Sequence, residues 1–115
     1  MAVIGLNNLI IVGSNVEKSA KFYSEALGLN LAFTDGDKWA QLKAGAAKVG
    51  ISSAEEAGLH NGGAIPVFEI DDIDATRKAV FAGGGEIAAE RDMGSHGYAL
   101  TVRDPDGNIL QLIKR

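Results

Sequence analysis

The sequence predicts an α+β domain in which two modules, each with the element order βαβββ, follow one another along the chain. A short apolar run, "LIIV" at 9–12, precedes a stretch with apolar residues at helical spacing, and Gly- and Asp-rich turns then separate several β-prone runs. The same order of elements returns when the chain is shifted by 57 residues. At 115 residues, the chain fits one domain, 1–115, with modules at about 1–57 and 58–115.

The helix of the first module is predicted over residues 16–27. Its N-cap is Asn15, or else Ser14 in a capping box with Glu17, because such side chains accept hydrogen bonds from the free N–H groups of a first helical turn. Gly28 is well placed to end the helix. One apolar stripe, which we expect to pack on the core, consists of Val16, Ala20, Tyr23 and Leu27.

Short strands complete the first module. Runs of β-prone residues are separated by "DGD" at 35–37 and "AGA" at 44–46, and both are turn sequences. The three strands are predicted at about residues 31–34, 39–43 and 48–52.

The second module repeats the plan of the first. "IPVFEI" at 65–70 predicts its first strand, and Asp72 then aligns with Asn15 as the N-cap of a helix over 73–82. The glycines of "GGG" at 83–85 end that helix. Because both halves share the order of elements, the repeat predicts this fold more strongly than any single motif does. The remaining strands are predicted at about 86–90, 98–102 and 109–113.

Composition and charge exclude several classes of protein. A net charge of −4 without a Lys/Arg cluster offers no track for the phosphates of a nucleic acid, and no run approaches the length of a membrane span. The absence of cysteine excludes disulfides, a thiolate nucleophile and a Cys-based zinc site, and it favours a cytoplasmic location. We also find no pattern typical of a signal peptide. The expected partner is a small molecule rather than a nucleic acid or a membrane.

The last strand contains an unexpected amide. The segment "RDPDGNILQLIKR" at 103–115 predicts a turn followed by a strand, since Pro105 presets its φ angle and Gly107 or Asn108 tolerates a positive φ. Gln111 lies in the middle of this strand, which raises the question of what it binds. Its neighbours are all apolar: Ile109, Leu110, Leu112 and Ile113.

Three stretches carry a family resemblance: "VEKSAKFYSEALGL" at 16–29, "FEIDDIDA" at 68–75 and "DPDGNILQL" at 104–112. In these motifs the sequence resembles the vicinal oxygen chelate superfamily, which includes glyoxalase I, extradiol dioxygenases, fosfomycin-resistance enzymes and bleomycin-resistance proteins. The resemblance implies that the two modules form a curled mixed sheet, or cup, around a ligand, with the helices packed on the outside. It also implies a homodimer, often with the cup completed across the interface. Fold alone does not fix function, so the site is read residue by residue.

The resemblance also implies four positions at which enzymes of this family hold a divalent metal ion. Here they carry Asn8, Ile65, Gln111 and, in the first module, Gly50 or Ser52. Gln111 stands where the family's metalloenzymes carry a glutamate. Hard divalent ions prefer anionic oxygen ligands and borderline ions prefer imidazole or thiolate, whereas this set offers two neutral amides at best. We therefore expect no metal cofactor, and a one-residue shift in strand register restores no ligand.

Alternation along the strands predicts which side chains face the cup. If Asn8 and Gln111 face it, the floor is mostly apolar with a few amides, which is typical of a small-molecule pocket. Phe33, Trp39 and Tyr98 could stack there on a flat ligand or a cation, or they could fill the core or a dimer interface. The predicted ligand-binding residues are Asn8, Ile10, Phe33, Trp39, Ile65, Val67, His96, Tyr98 and Gln111.

Two histidines and one glutamate are candidates for acid–base chemistry. His60 and His96 lie in Gly-rich loops, where a solvated surface position is the commoner role. His96 precedes a cup strand, so it could instead act as a rim contact or a general base. Glu69 is the carboxylate predicted on the cup face, unless it lies in solvent at the far end of its strand.

Two functions of different classes follow. The first is a metal-free small-molecule (drug or metabolite) binding protein, similar to the bleomycin-resistance branch. The alternative is an enzyme of the same family: a lyase or dioxygenase with a degenerate metal site, or a metal-free isomerase that uses Glu69, His96 or Tyr98. Without a metal no Lewis acid stabilises an enediolate, and amide hydrogen bonds are a weaker substitute. We favour binding and assign no catalytic residue. A third possibility is an interaction domain whose cup is filled by its own side chains.

Overall fold

The computed structural model describes residues 7–57 and 64–115, and it contains the two βαβββ modules that the repeat predicts. Each module folds into one four-stranded sheet and a main helix. The first module contains β1 (Leu9–Val12), α1 (Val16–Lys21), β2 (Asn30–Asp35), β3 (Trp39–Ala44), β4 (Ala47–Ser52) and a short α2 (Ala54–Ala57). The second contains β5 (Val67–Glu69), α3 (Ile73–Ala82), β6 (Glu86–Asp92), β7 (Tyr98–Arg103) and β8 (Ile109–Lys114).

The two sheets share one topology. Their strand orders are β1-β4-β3-β2 and β5-β8-β7-β6, and in each sheet the first strand of the module pairs in parallel with the last. The other pairs are antiparallel. A bulge interrupts both outer strands at equivalent places, between Leu31 and Phe33 in β2 and between Ile87 and Ala89 in β6. The chain therefore has the predicted α+β fold with a curled mixed sheet.

The helices begin where their capping residues predict. Asn15 is the N-cap of α1, because its side-chain oxygen accepts a hydrogen bond of 3.0 Å from the Lys18 backbone N–H. Ser14, the competing candidate, instead directs its hydroxyl to Asp106. Asp72 caps α3 in the same way as Asn15 caps α1. The sequence did not predict α2, nor the π-helical turn over Phe22–Ala26 that continues α1.

Both main helices pack on the same side of the sheets and form one core with them. Each large aliphatic side chain buried there contributes roughly 2 kcal/mol of transfer free energy. Among the described residues, no helix has the length and apolar character needed to cross a membrane. The largest fully buried apolar or aromatic side chains are Tyr23, Leu42, Ile51, Val80, Leu100, Val102, Leu110 and Leu112.

A buried carboxylate joins the two modules. Asp104, in the turn between β7 and β8, accepts a hydrogen bond of 2.8 Å from the Tyr23 hydroxyl of the first module. It also accepts bonds from the backbone and side chain of Asn108, whose Nδ2 donates at 2.7 Å to the Val12 carbonyl oxygen. Burial, and then the charge of Asp104, raise the pKa of Tyr23, so this phenol stays protonated and remains a donor.

A second carboxylate of the same turn, Asp106, completes this junction. Its oxygens accept hydrogen bonds from the Ser14 N–H and hydroxyl and from the Ser19 hydroxyl. Burial opposes ionisation of Asp106, but these hydrogen bonds outweigh it and lower its pKa. The contact is close: a Cβ atom at Gly13 would lie 2.6 Å from the Ser19 Oγ and 2.7 Å from an Asp106 oxygen. Only glycine fits at position 13 without displacing the junction.

Candidate ligand-binding site

The side of each sheet that faces away from the helices is called the open face here. Pairing across β1, β4 and β3 places Ile10, Gly50 and Gln41 next to one another on the open face of the first module. Alternation then adds every second residue along each strand. The residues of this face that form the candidate site are Asn8, Ile10, Phe33, Trp39, Gln41 and Gly50.

A cluster of hydrogen-bonding side chains lies in the middle of this face. Asn8 Nδ2 donates to Gln41 Oε1 at 3.3 Å, and Gln41 Nε2 donates to Asn8 Oδ1 at 3.4 Å. The indole N–H of Trp39 donates to the same Gln41 oxygen at 3.3 Å. All three bonds are longer than the usual 2.9–3.0 Å, so each is weak and exchangeable for a ligand's polar group. Gln41 was not among the residues predicted from the sequence, although it lies two residues from Trp39 on β3 and alternation places both on the same face.

The indole of Trp39 lies over Gly50. A Cβ atom at Gly50 would lie 2.2 Å from Trp39 Cζ2 and 2.4 Å from Cη2. The space for a side chain at position 50 is therefore already filled by the aromatic ring.

Strand register shows which position in the first module corresponds to Gln111. Val67 pairs with Gln111, and Ile10 pairs with Gly50. Val67 and Ile10 each lie five residues before the N-cap of the following helix. Gly50 is therefore the counterpart of Gln111, which decides between the two alternatives, Gly50 and Ser52, that the sequence left open.

The open face of the second module combines apolar side chains with the Gln111 amide. Gln111 is half-buried and lies between Val67 of β5 and Thr101 of β7. The backbone N–H of Gln111 donates a hydrogen bond of 2.9 Å to the carbonyl oxygen of Pro66, the residue directly before β5. Ile65, two residues before β5, and Val67 within it are 51% and 55% exposed, which is high for aliphatic side chains.

Tyr98 does not face this space, which corrects the expectation from sequence. It lies on the helix side of β7, where its hydroxyl donates at 2.7 Å to Glu90 and the guanidinium of Arg77, from α3, lies 6.0 Å from the ring centroid. The hydrogen bond to Glu90 is the main reason that the pKa of Tyr98 is raised. Tyr98 lies on this side because it alternates with Leu100 and Val102 along β7. Both of these residues are buried in the core on the helix side.

The two described candidates for acid–base chemistry, His96 and Glu69, are both exposed. His96 is exposed in a single 3₁₀ turn, Gly94–His96, before β7, so its predicted role at the rim stays a prediction. The side chain of Glu69 is 70% exposed, and the Arg115 guanidinium lies 3.8 Å from its carboxylate. Strand register places Glu69 on the open face, as predicted, and its carboxylate is exposed to solvent there. His60 lies outside the described residues.

The residues at the four family positions do not fit a divalent metal ion. Asn8 and Gln111 offer neutral amide oxygens, Ile65 offers no donor, and at Gly50 the indole fills the space that a ligating side chain would need. The described part of the chain also contains no other cluster of three or more His, Asp or Glu side chains that could hold a metal.

Comparison with known proteins places this geometry in a family. The model of the Glyoxalase/Bleomycin resistance protein/Dioxygenase superfamily matches residues 5–112. The chain belongs to this superfamily. It is also 29% identical over 125 aligned residues to a protein of Vibrio parahaemolyticus named "Probable lactoylglutathione lyase", with 95% of this chain and 88% of the relative covered.

Two solved structures are similar in fold over nearly the whole chain. A hypothetical protein from S. aureus superposes with a TM-score of 0.81 at 19% identity, covering 99% of this chain and 96% of that one. The bleomycin-binding protein from Streptomyces verticillus, solved with copper(II)-bleomycin, superposes with a TM-score of 0.69 at 20% identity, covering 100% and 99%. At these identities the similarity establishes the fold, and function within it depends on the site residues.

Proposed function

We propose that this protein binds a small organic molecule, a drug or metabolite, on its open faces without using a metal ion. The observation that carries the proposal is the position of the Trp39 indole over Gly50. A metalloenzyme of this family needs a ligating side chain there, and the ring both replaces it and offers an aromatic surface. The amides of Asn8 and Gln111 then act as hydrogen-bonding groups rather than metal ligands.

The distribution of exposed apolar side chains supports the same function. Isolated exposed apolar residues are common, but a cluster on one surface marks a binding site. Most of the large hydrophobic residues that are exposed in the described chain lie on the open faces, namely Ile10, Phe33, Ile65 and Val67.

The chemistry of these faces indicates the class of ligand. Trp39 and Phe33 are suited to stacking on a flat ring system, and the amide cluster of Asn8 and Gln41 suits a ligand with polar atoms at the ring edge. The bleomycin-binding protein with the same fold supports this assignment. We further propose that two chains form a homodimer, which would shield the exposed Ile10 and Val67 and complete the cup.

The first test measures metal binding and ligand binding separately. We expect titration calorimetry with Ni²⁺, Zn²⁺, Mn²⁺ and Fe²⁺ to show no site tighter than millimolar. Trp39 is the single tryptophan of the chain, so indole emission reports on the site alone. We expect metal-free bleomycin to change this emission saturably.

A pair of phenylalanine variants controls this experiment. Phe33→Ala removes a ring from the open face, whereas Phe81→Ala removes one from the outer surface of α3, where it is 82% exposed. We expect the first to weaken bleomycin binding by about tenfold and the second to leave it unchanged. One metal ion per chain bound at micromolar concentration would overturn the proposal, and so would equal effects of the two variants.

A lyase is the second candidate function, because a relative at 29% identity carries that name. Its test is formation of lactoylglutathione from glutathione and methylglyoxal, with the protein treated with chelator and then supplied with each divalent ion. Turnover that needs an added ion and is lost in Gln111→Ala would favour the lyase over the binding protein.

A further inference from the structure

Two lysines lie on the open face of the first module, next to the amide cluster of the candidate site. Strand register pairs Lys43 of β3 directly with Lys48 of β4. Lys43 lies two residues after Gln41, and Lys48 lies two residues before Gly50, so alternation places both lysines on the same face as these two residues. Both lysine side chains are exposed. They extend the candidate site along the two central strands of its sheet.

Each of these lysines has one member of the amide cluster as a neighbour. Leu9 pairs with Val49, so Asn8, directly before β1, lies beside Lys48. Gln41 and Lys43 are separated by about 7 Å along β3. The four-carbon stem of a lysine is flexible and long enough to span such a distance. A ligand bound by the amides is therefore within reach of both ammonium groups.

The positive charge of the lysine pair is not neutralised within the described part of the chain. None of the ion pairs formed among the described residues includes Lys43 or Lys48. Like charges directly opposite one another on two strands destabilise the strand pairing. An anionic group placed between the two ammonium groups would relieve this repulsion.

The charges on this face are separated along the strands. Asp35 of β2 is on the same face, but it is paired with Trp39 at the start of β3. Trp39 and Lys43 lie roughly 13 Å apart along that strand. The face thus has a carboxylate beside its indole and two ammonium groups beyond its amides, and this separation favours one orientation of a charged ligand.

We infer that the open face of the first module binds a flat aromatic ligand that carries an acidic group, such as an aromatic carboxylate. The ring lies against Trp39 and Phe33. The carboxylate accepts charge-assisted hydrogen bonds from Lys43 and Lys48. This inference rests on the proposed function and narrows its ligand class from any small organic molecule to an anion.

The test uses 2-naphthoate as the probe, with 2-naphthamide and 2-naphthylmethylammonium as neutral and cationic analogues. We expect calorimetry to rank the carboxylate first and the cation last. Lys43→Gln/Lys48→Gln should weaken 2-naphthoate binding about tenfold, remove its dependence on salt and leave 2-naphthamide binding unchanged. The matched control, Lys21→Gln/Lys78→Gln, removes the same charge from exposed positions on α1 and α3 and should change neither affinity.

Two further measurements test the fold of the variant and the orientation of the ligand. The Lys43/Lys48 variant should unfold at the same urea concentration as wild type or a higher one, because it removes a like-charge pair. Asp35→Asn should leave 2-naphthoate binding unchanged, since the acid group lies at the other end of the face. If Asp35→Asn weakens binding as much as the lysine variant does, the inference is wrong.

The remaining outcomes separate this inference from the proposed function. If bleomycin binds but 2-naphthoate binds no more tightly than 2-naphthamide, or if both lysine pairs have equal effects, the inference is wrong and the proposed function stands. The inference is also wrong if sedimentation shows that the Lys43/Lys48 variant weakens self-association while 2-naphthoate binding is unchanged, since the lysines would then contact a second copy of the chain. If neither bleomycin nor any naphthalene compound binds, both proposals fail.

Discussion

The β3–β4 turn and the β7–β8 turn occupy equivalent places in the two modules. The β7–β8 turn forms side-chain hydrogen bonds with the other module, and, among the described residues, the β3–β4 turn does not. The pair Lys43–Lys48 brackets the first turn, and the pair Arg103–Ile109 brackets the second. The second turn carries Asp104, which reaches into the first module through hydrogen bonds. The first carries only alanine and glycine over 44–47, and it borders a cavity of about 930 Å³ between the two modules.

The helices next to these turns show the same difference. The 57-residue shift aligns Ser19 of α1 with Thr76 of α3, and Ser19 binds the β7–β8 turn whereas Thr76 lines the cavity. The repeat thus specifies two similar junctions, and a few side chains in one turn decide whether the junction is a hydrogen-bonded contact or a cavity. One junction is closed by hydrogen bonds, and the other leaves a cavity.

Asp104→Ala should have the largest effect on the closed junction. It leaves the Tyr23 hydroxyl and the turn N–H groups without their buried acceptor, so we expect a loss of about 3 kcal/mol in the free energy of unfolding. Urea denaturation measures this loss. Ala44→Ser, in the equivalent turn, is the control and should change stability little. Equal effects of the two changes would contradict the comparison.

Gly50→Ala tests the corresponding difference between the open faces, where Gly50 is the counterpart of Gln111. The added methyl group would overlap the Trp39 ring, so we expect a loss of about 2 kcal/mol and a red shift of indole emission as the ring moves into water. Lys48→Ala, on the same strand, should do neither. An unchanged emission maximum in Gly50→Ala would show that the ring does not lie over position 50.

Asp106→Asn should reduce stability at neutral pH by about 1 kcal/mol, because an amide replaces one accepting oxygen by a donor. In the folded protein the pKa of Asp106 is lowered from its ordinary value of 3.8, so its stabilising effect is present above that pH and is lost as pH falls through the folded value. Thermal unfolding from about pH 6 down to about pH 2.5 should therefore bring wild type and variant together. A stability difference that grows in acid would contradict this sign.

Two tyrosine-to-phenylalanine variants separate a buried from an exposed hydrogen bond, and the second of them has the smallest effect predicted here. Tyr23→Phe should cost about 1.5 kcal/mol, since the buried Asp104 loses a donor. Tyr98→Phe should leave the urea midpoint unchanged within error, because Glu90 is solvated and keeps its bonds from Arg77. If Tyr98→Phe is the more damaging of the two, the role assigned to burial is wrong.

Most of the fold could be predicted because local signals agreed with one another. The N-caps, the glycines that end the helices and the period-two runs gave nearly every strand and both main helices. The four-residue helix α2 was missed because so short a segment has no periodicity. The π-helical turn after Lys21 was missed because it depends on how Phe22 and Tyr23 pack in the core.

The candidate site was less predictable, because side-chain direction depends on register. Asn8, Gln111 and Trp39 could be placed from the repeat and from alternation. Tyr98 was assigned to the wrong side, because its strand has buried residues on both sides of the sheet. The overlap of Trp39 with Gly50 is a contact across two strands, and no sequence spacing encodes it.

The bulges in β2 and β6 make the two edges of each sheet different as partners for an added strand. They lie at equivalent positions in the two strands that end the sheets, opposite Gln41 and Thr101 respectively. A bulge breaks the regular row of backbone donors and acceptors that an incoming strand would need. The bulged edges are thus poor templates for an added strand, whereas the register of the opposite edges, β1 and β5, is regular.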